Sequence, residues 1–150
     1  MIWIVGGMRR AGLTAGLIML AGPLAAQADG LQAGLWSVRQ SPVINDITAP
    51  IQQNLRCLTP EAVADLDKTF SPVSRTTNSA CEQIEHELTP QRLKWRMQCT
   101  GQLNMEVAGE FVFENPQRYT ATVTTEASMA GKLMQKSQVT IEAQWIGECR

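Results

Sequence analysis

The sequence has little of what most enzymes and metal proteins use. It contains one histidine, His86, so a single chain cannot build a site from several imidazole ligands. The glycine-rich phosphate loop, the dinucleotide fingerprint, the zinc-protease helix motif and the nucleophile elbow are all missing. A formal charge of −1 leaves no cation surplus for nucleic acid. We therefore expect a protein that is not an enzyme, that needs no metal or cofactor and that does not bind nucleic acid.

Long apolar runs are also scarce, since none reaches the roughly 20 residues that a membrane-spanning helix needs. The main apolar segment, Ala11–Leu24, follows the basic pair Arg9–Arg10 and precedes the small-residue segment Ala26–Ala28. This order is typical of a secretory signal peptide. We expect residues 1–28 to be removed by cleavage after Ala28, leaving residues 29–150 as one periplasmic domain without a membrane span.

What the chain does have is alternation between apolar and polar residues beyond position 80, which is typical of strands with one buried face. The apolar positions of the clearest four strands are Leu93, Trp95, Met97 and Cys99; Met105, Val107, Gly109, Phe111 and Phe113; Tyr119, Ala121, Val123 and Thr125; and Val139, Ile141, Ala143 and Trp145. Other predicted strands are Glu82–Leu88 and, more weakly, Leu35–Gln40 and Gln52–Leu58. The pattern predicts a mainly β fold, an antiparallel meander of about seven strands in an open or closed barrel-like sheet.

Side-chain pairing selects the register of two hairpins, because unlike charges then face each other while the apolar faces stay together. The first hairpin pairs Leu88–Leu93, Glu87–Lys94 and Glu85–Arg96. The last hairpin pairs Glu126–Lys136, Val123–Val139 and Ala121–Ile141.

A helical signal follows the first cysteine. Thr59 can cap a helix, Pro60 suits its first position and Glu61 favours the positive end of its dipole. One short helix of about two turns is predicted to Asp67. The polar segment Thr69–Ala80 is then predicted to be a long loop.

The four cysteines, Cys57, Cys81, Cys99 and Cys149, all lie in the predicted mature chain. An even number in an exported chain is typical of two disulfides, and no pair has the spacing of a metal clip. The hairpin places Cys81 near Cys99, which favours Cys81–Cys99 with Cys57–Cys149. In the register above Cys81 points outward and Cys99 inward, so their pairing requires a β-bulge or a frayed end of the hairpin.

Several short motifs are shared with one known family. They are Gly34-Leu35-Trp36, Arg56-Cys57-Leu58-Thr59-Pro60-Glu61, Trp95 followed by Cys99, and Gly147-Glu148-Cys149. In these the chain resembles a bacterial family of unknown function, numbered 3617 among such domains, from about Leu31 to Arg150. The resemblance implies an exported bacterial domain, and it brings no activity, substrate or catalytic residue.

The candidate ligand site is the inward face of the predicted sheet. Its residues are Trp95, Val107, Phe111, Val123 and Ile141. A sheet of this size can hold a small ligand, although its own side chains can also fill it. The leading hypothesis is a non-enzymatic binding module for an apolar small molecule or lipid.

The alternative is an envelope protein-interaction or maintenance factor without a small-molecule ligand, which would use a sheet edge or the loop at 69–80. A hydrolase organised around His86, which faces Trp95 in the predicted hairpin, is a third hypothesis and has no assigned nucleophile.

Two further groups of residues, a pair of glutamates and four methionines, could catalyse a reaction or bind a metal, but a structural role explains each group more simply. Glu85 and Glu87 could imitate the paired carboxylates of a glycosidase, but their predicted ion pairs account for them. Copper(I) could bind thioethers, although inward methionines are commonly core filler. The methionines considered are Met97, Met105, Met129 and Met134.

Overall fold

The computed structural model describes residues 30–71 and 79–150. The predicted signal peptide, and residues 72–78 of the predicted loop, lie outside the described residues. The strands are β1 (Gly34–Ile44), β2 (Ile47–Thr48), β3 (Gln52–Leu58), β4 (Ser79–Leu88), β5 (Arg92–Gly101), β6 (Asn104–Asn115), β7 (Arg118–Met129) and β8 (Lys132–Gly147). The helices are α1 (Pro60–Ala64) and α2 (Leu66–Phe70).

All described strands belong to one antiparallel sheet in the order β2-β1-β8-β7-β6-β5-β4, with β3 also paired to β1. Since β8 occupies the other side of β1, β2 and β3 share one edge position. The sheet is therefore seven strands wide, and the predicted mainly β, antiparallel fold class is confirmed.

The sheet is open between β3 and β4, which pair with β1 and β5 respectively and not with each other in the described part of the chain. Every step across the sheet is antiparallel, and six steps separate these two edges. The edges therefore run in the same direction. Parallel neighbours need a crossover connection, and α1 and α2 lie within the connection from β3 to β4.

Helix α2 lies in the gap between the two edges. The Arg56 guanidinium of β3 donates to the carbonyl oxygen of Thr69, and His86 of β4 bonds to the carboxylate of Asp67. A five-residue helix is about 7.5 Å long, whereas seven strands laid flat span about 29 Å. The sheet must therefore curl into an open barrel around α2.

Both predicted hairpin registers are confirmed, and of the two expected ways to bring Cys81 and Cys99 together, a bulge or a frayed end, the structure has the bulge. Leu88 faces Leu93 in one hairpin, and Glu126 faces Lys136 in the other. The register shifts between Gln83 and Glu85, so that Cys81 lies directly opposite Cys99.

The two disulfides are Cys81–Cys99 and Cys57–Cys149, as predicted. Strands β3, β4, β6 and β8 finish at what we name the Cys57 end of the sheet, and the opposite end is the Cys81 end. Each end of the sheet therefore has one disulfide. The Cys57–Cys149 bond connects β3 to the residues after β8, across β1.

The core lies on the concave face, nearer the Cys57 end. Its buried residues are Leu31, Trp36, Val38, Leu58, Phe70, Leu93, Trp95, Phe111, Phe113, Tyr119, Ala121 and Ala143. Gly109 lies directly beneath the Trp95 indole, where a Cβ would collide with the ring. Most of the predicted inward positions of β5, β6 and β7 thus contribute to this core.

The helical segment differs from the prediction of one helix followed by a loop. Asp65 ends α1 and caps α2, because its side chain accepts a hydrogen bond from the Lys68 amide at 2.9 Å. Thr69 and Phe70, which were predicted to lie in the loop, form the end of α2. The predicted loop residues Ser79 and Ala80 begin β4.

Candidate functional site

A cleft of about 200 Å³ lies on the concave face beside α2. We name it the Arg56 cleft. It is lined by Val38, Gln40, Asn54, Arg56, Thr69, Phe70, Phe111, Tyr119 and Ile141. These residues come from β1, β3, β6, β7, β8 and α2, so the curled sheet and the helix build the cleft together. Its volume is below the roughly 300–1,000 Å³ typical of drug-sized ligands, so a ligand here is small or only partly enclosed.

Aromatic rings form one wall of the cleft. The Phe70 ring centroid lies 5.0 Å from that of Phe111 and 5.1 Å from that of Tyr119. The Trp95 indole N–H donates to the Phe70 carbonyl oxygen at 3.1 Å, which fixes the end of α2 against the sheet. The ring spacings are those of favourable tilted pairs, so this wall is fixed in place without a ligand.

Arg56 provides the charge at the cleft. It lies on β3 two residues before buried Leu58, and alternation therefore directs it to the concave face. Its guanidinium carbon lies 5.5 Å from the Phe70 ring centroid, a cation–π distance. One nitrogen donates weakly to the Thr69 carbonyl oxygen at 3.4 Å. The other N–H groups of this guanidinium have no acceptor among residues 30–71 and 79–150.

Tyr119 contributes a hydroxyl to the same cleft. Burial raises the pKa of this phenol above its ordinary value, and the nearby positive charge of Arg56 opposes part of that rise. The hydroxyl therefore stays neutral at physiological pH and can donate a hydrogen bond.

The structure brings two of the five predicted ligand-binding residues to the cleft. Phe111 and Ile141 line it. Trp95 is buried in the core, while Val107 and Val123 are half-buried and pack against that core. Whether these five residues bind a ligand stays a prediction.

Sequence reasoning did not assign the other seven lining residues to the site. They are Val38, Gln40, Asn54, Arg56, Thr69, Phe70 and Tyr119. Gln40, Asn54 and Arg56 are polar residues on predicted strands, and a polar residue in a strand is ordinarily predicted to face solvent. The signal was present in β3, since Asn54 and Arg56 alternate in phase with Leu58.

His86 takes part in a chain of hydrogen bonds with Asp67 and Ser71. Its Nε2 lies 2.9 Å from Asp67 Oδ1, and the Ser71 hydroxyl donates to the same oxygen. A serine nucleophile needs its hydroxyl on the imidazole, with the carboxylate on the far side of the ring. Here the carboxylate lies between the two, so the arrangement orders α2 against β4. The bond from Ser71, followed by that from His86, lowers the pKa of Asp67.

Ion pairs explain Glu85, whereas Glu87 has none among the described residues, so one predicted contact is wrong. Arg96 lies 3.5 Å from Glu85, as predicted. Lys94 bonds to Glu85 at 2.6 Å instead of to its cross-strand neighbour Glu87. The Lys94 hydrogen bond lowers the pKa of Glu85, which is the opposite of what a general acid requires.

Of the four methionines considered for copper, two are at least half-buried and two are exposed. Met97 is buried and Met105 half-buried, whereas Met129 and Met134 are exposed at the β7–β8 hairpin. Among residues 30–71 and 79–150, no three His, Cys, Asp or Glu side chains are grouped to hold a metal ion.

A second hollow, of about 400 Å³, lies at the Cys57 end against α1. It is lined by Gly30, Val63, Ala64, Leu66, Leu88, Thr89 and Pro90. None of these described lining residues is charged, and none of them is a predicted site residue. The Arg56 cleft is therefore the better candidate despite its smaller volume.

No helix within the described ranges is long and apolar enough to cross a membrane. Comparison with the curated proteins and with the solved structures gives no match. The sequence model of one family, described as "Protein of unknown function (DUF3617)", matches residues 31–149. This match covers the whole sheet, both helices and all four cysteines, and the chain belongs to that family.

Proposed function

We propose that the protein is a non-enzymatic binding module that holds an apolar small molecule or lipid chain in the Arg56 cleft. The observation that carries this proposal is an open space on the concave face beside α2 that aromatic and aliphatic side chains border. A barrel of this size usually fills its interior with its own side chains. Here Phe70 fills the part near the Cys57 end, and Val38, Phe111 and Ile141 still border an open space.

The location proposed for this function is the periplasm, after cleavage of the signal peptide behind Ala28. Two disulfides support an oxidising compartment, because thiols are kept reduced in the cytosol. The mass of protein isolated from a periplasmic extract tests the cleavage. A chain that begins at Asp29 is expected, and a chain that retains residues 1–28 would contradict it.

Filling the cleft tests the binding proposal. Ile141→Trp places a large ring at the cleft, whereas Thr140→Trp adds the same ring at the neighbouring exposed position of β8. With 1-octanol as the probe in calorimetric titration, wild type and Thr140→Trp should bind similarly. Ile141→Trp should bind at least about tenfold more weakly, since it blocks apolar burial worth more than one kcal/mol.

Two outcomes of that titration would contradict the proposal. One is the absence of 1-octanol binding to folded wild-type protein. The other is equal affinity in Ile141→Trp and Thr140→Trp, which would place the probe elsewhere on the molecule.

A second candidate function, contact with an envelope protein, has its own supporting observation. Large apolar side chains are exposed at the β1–β2 and β7–β8 hairpins of the Cys81 end. They are Ile44, Ile47, Met129, Leu133 and Met134. In intact cells, crosslinking to one defined partner should be lost with Leu133→Asp and retained with Thr140→Asp. Equal crosslinking of both variants would contradict this role.

A further inference from the structure

Arg56 differs from the other arginines of the sheet in its lack of an acidic partner. Five arginines lie in the described strands, and four have a carboxylate within 4 Å. These pairs are Arg39–Glu142, Arg92–Glu110, Arg96 with Glu85 and Glu106, and Arg118–Glu114. In the same described ranges Arg56 has only the Phe70 ring and the distant Thr69 carbonyl. A guanidinium has five N–H donors, so most of its capacity is unused.

The described residues that line the Arg56 cleft are rich in hydrogen-bond donors, and none of them is an aspartate or a glutamate. The side chains of Gln40, Asn54 and Tyr119 also reach it, and each can donate a hydrogen bond. None of these three side chains is hydrogen-bonded within the part of the chain that the structure describes. The polar side of the cleft is therefore suited to an anionic oxygen group.

The opposite side of the cleft is apolar. Phe70, Phe111 and Ile141 offer a surface for a hydrocarbon body, while the exposed guanidinium stays at the mouth. A ligand that matches both sides carries its charge at one end. One cation is matched by the single charge of a carboxylate, whereas a phosphate monoester carries about −1.5 to −2. The charge count therefore favours a carboxylate.

We propose that the Arg56 cleft selects a small amphiphile with one carboxylate, which pairs with Arg56 while its short hydrocarbon body packs against Phe70, Phe111 and Ile141. This inference rests on the proposed function, and it adds the chemical class of the ligand. The carboxylate also accepts hydrogen bonds from the Tyr119 hydroxyl and the neighbouring amides. An exposed ion pair is worth about one kcal/mol at most, which sets the expected preference at about fivefold.

The test compares three probes with the same chain: octanoate, 1-octanol and octyl phosphate. At neutral pH, calorimetric titration of the wild-type protein should give about fivefold tighter binding for octanoate than for 1-octanol. Arg56→Gln should abolish this preference, so that octanoate binds to the variant no more tightly than 1-octanol does. Arg39→Gln is the matched control, since this arginine lies on β1 with an exposed side chain and should leave the preference intact.

A second measurement keeps the inference testable if Arg56→Gln does not fold. Raising the ionic strength should weaken the binding of octanoate to the wild-type protein and leave that of 1-octanol nearly unchanged.

The outcomes separate this inference from the function on which it rests. If neither octanoate nor 1-octanol binds, the proposed function itself fails. If both bind equally, or if Arg56→Gln retains the preference, the binding module stands and the role of Arg56 is wrong. Tighter binding of octyl phosphate than of octanoate would overturn the carboxylate as the ligand class.

Discussion

Asp67 connects two elements through one carboxylate oxygen, which bonds to Ser71 at the end of α2 and to His86 on β4. The bond from Ser71 is the larger cause of its lowered pKa, and that from His86 is the next. A carboxyl with a folded-state pKa below its unfolded value of about 3.9 stabilises the fold above that pH. This contribution is lost as the pH falls through the lowered folded-state pKa.

We predict that Asp67→Asn lowers the free energy of unfolding at pH 5 by about 0.5 kcal/mol. The figure is small because the Asp67 side chain is 43% exposed and solvent screens its interactions. The difference from wild type should shrink as the pH is lowered from 5, which urea unfolding at several pH values measures. Ser71→Ala should remove part of the same pH dependence. A difference that stays constant from pH 5 to pH 2 would contradict the assignment.

At the residue scale, the sequence predicts most contacts whose partners are close along a hairpin, although Lys94 bonds to Glu85 instead of to Glu87. Glu85 meets Arg96 and Glu126 meets Lys136, because the turn fixes which residues are opposite each other. The contact between His86 and Asp67 was not predicted, since their approach depends on how far the sheet curls. The same limit applies to Arg56, whose partner Phe70 lies on another element.

Helix α2 has only five residues, and it is held in place by tertiary contacts more than by its own hydrogen bonds. Phe70 supplies much of this packing, through rings on β6 and β7. Sequence reasoning found the strands of the sheet through their period of two. It placed Phe70 in a loop because one apolar residue has no period, although Asp65 offered a helix-capping signal.

We predict that Phe70→Ala lowers the free energy of unfolding by about 3–5 kcal/mol, the usual result of truncating a buried phenylalanine. Urea unfolding measures the loss. Phe70→Leu should lose less, because it keeps most of the apolar volume. Lys68→Ala changes an exposed residue of the same helix and should lie within about 0.5 kcal/mol of wild type. A loss below about 1 kcal/mol for Phe70→Ala would show that α2 does not fill the core.

Across the whole molecule, the two disulfides close loops of very different length. Cys57 and Cys149 are 92 residues apart, whereas Cys81 and Cys99 are 18 apart. In the chain-entropy account, a longer loop restricts the unfolded chain more. The expected stabilisation is about 4.7 kcal/mol for the long loop and about 3 kcal/mol for the short one.

We predict that replacing both Cys57 and Cys149 by alanine lowers the stability more than replacing both Cys81 and Cys99. The difference should be about 1–1.5 kcal/mol in urea unfolding under non-reducing conditions. A greater loss from the Cys81–Cys99 variant would mean that packing around the bulge outweighs loop entropy.

At this scale the sequence predicts the fold class, both disulfides and the width of the sheet, because each follows from local alternation or from counting. Local alternation does not predict whether the sheet is open or closed. That outcome depends on the shared direction of β3 and β4 and on α2 lying between them, and both features emerge only when the strand order is known.

The pairing of β1 with β8 joins the beginning of the domain to its end, since Leu35 is opposite Gly147. As a chain is synthesised from its amino terminus, the hairpin of β1 and β3 has no neighbour until the last strand has been made. A premature stop before Lys132 would leave that hairpin and the strands from β4 to β7 as two unconnected pieces of sheet. Pairing over such a separation also slows folding, typically to milliseconds or seconds in β proteins. A partial chain of this protein therefore holds two separate pieces of sheet, and β8 must be present before they can join into one.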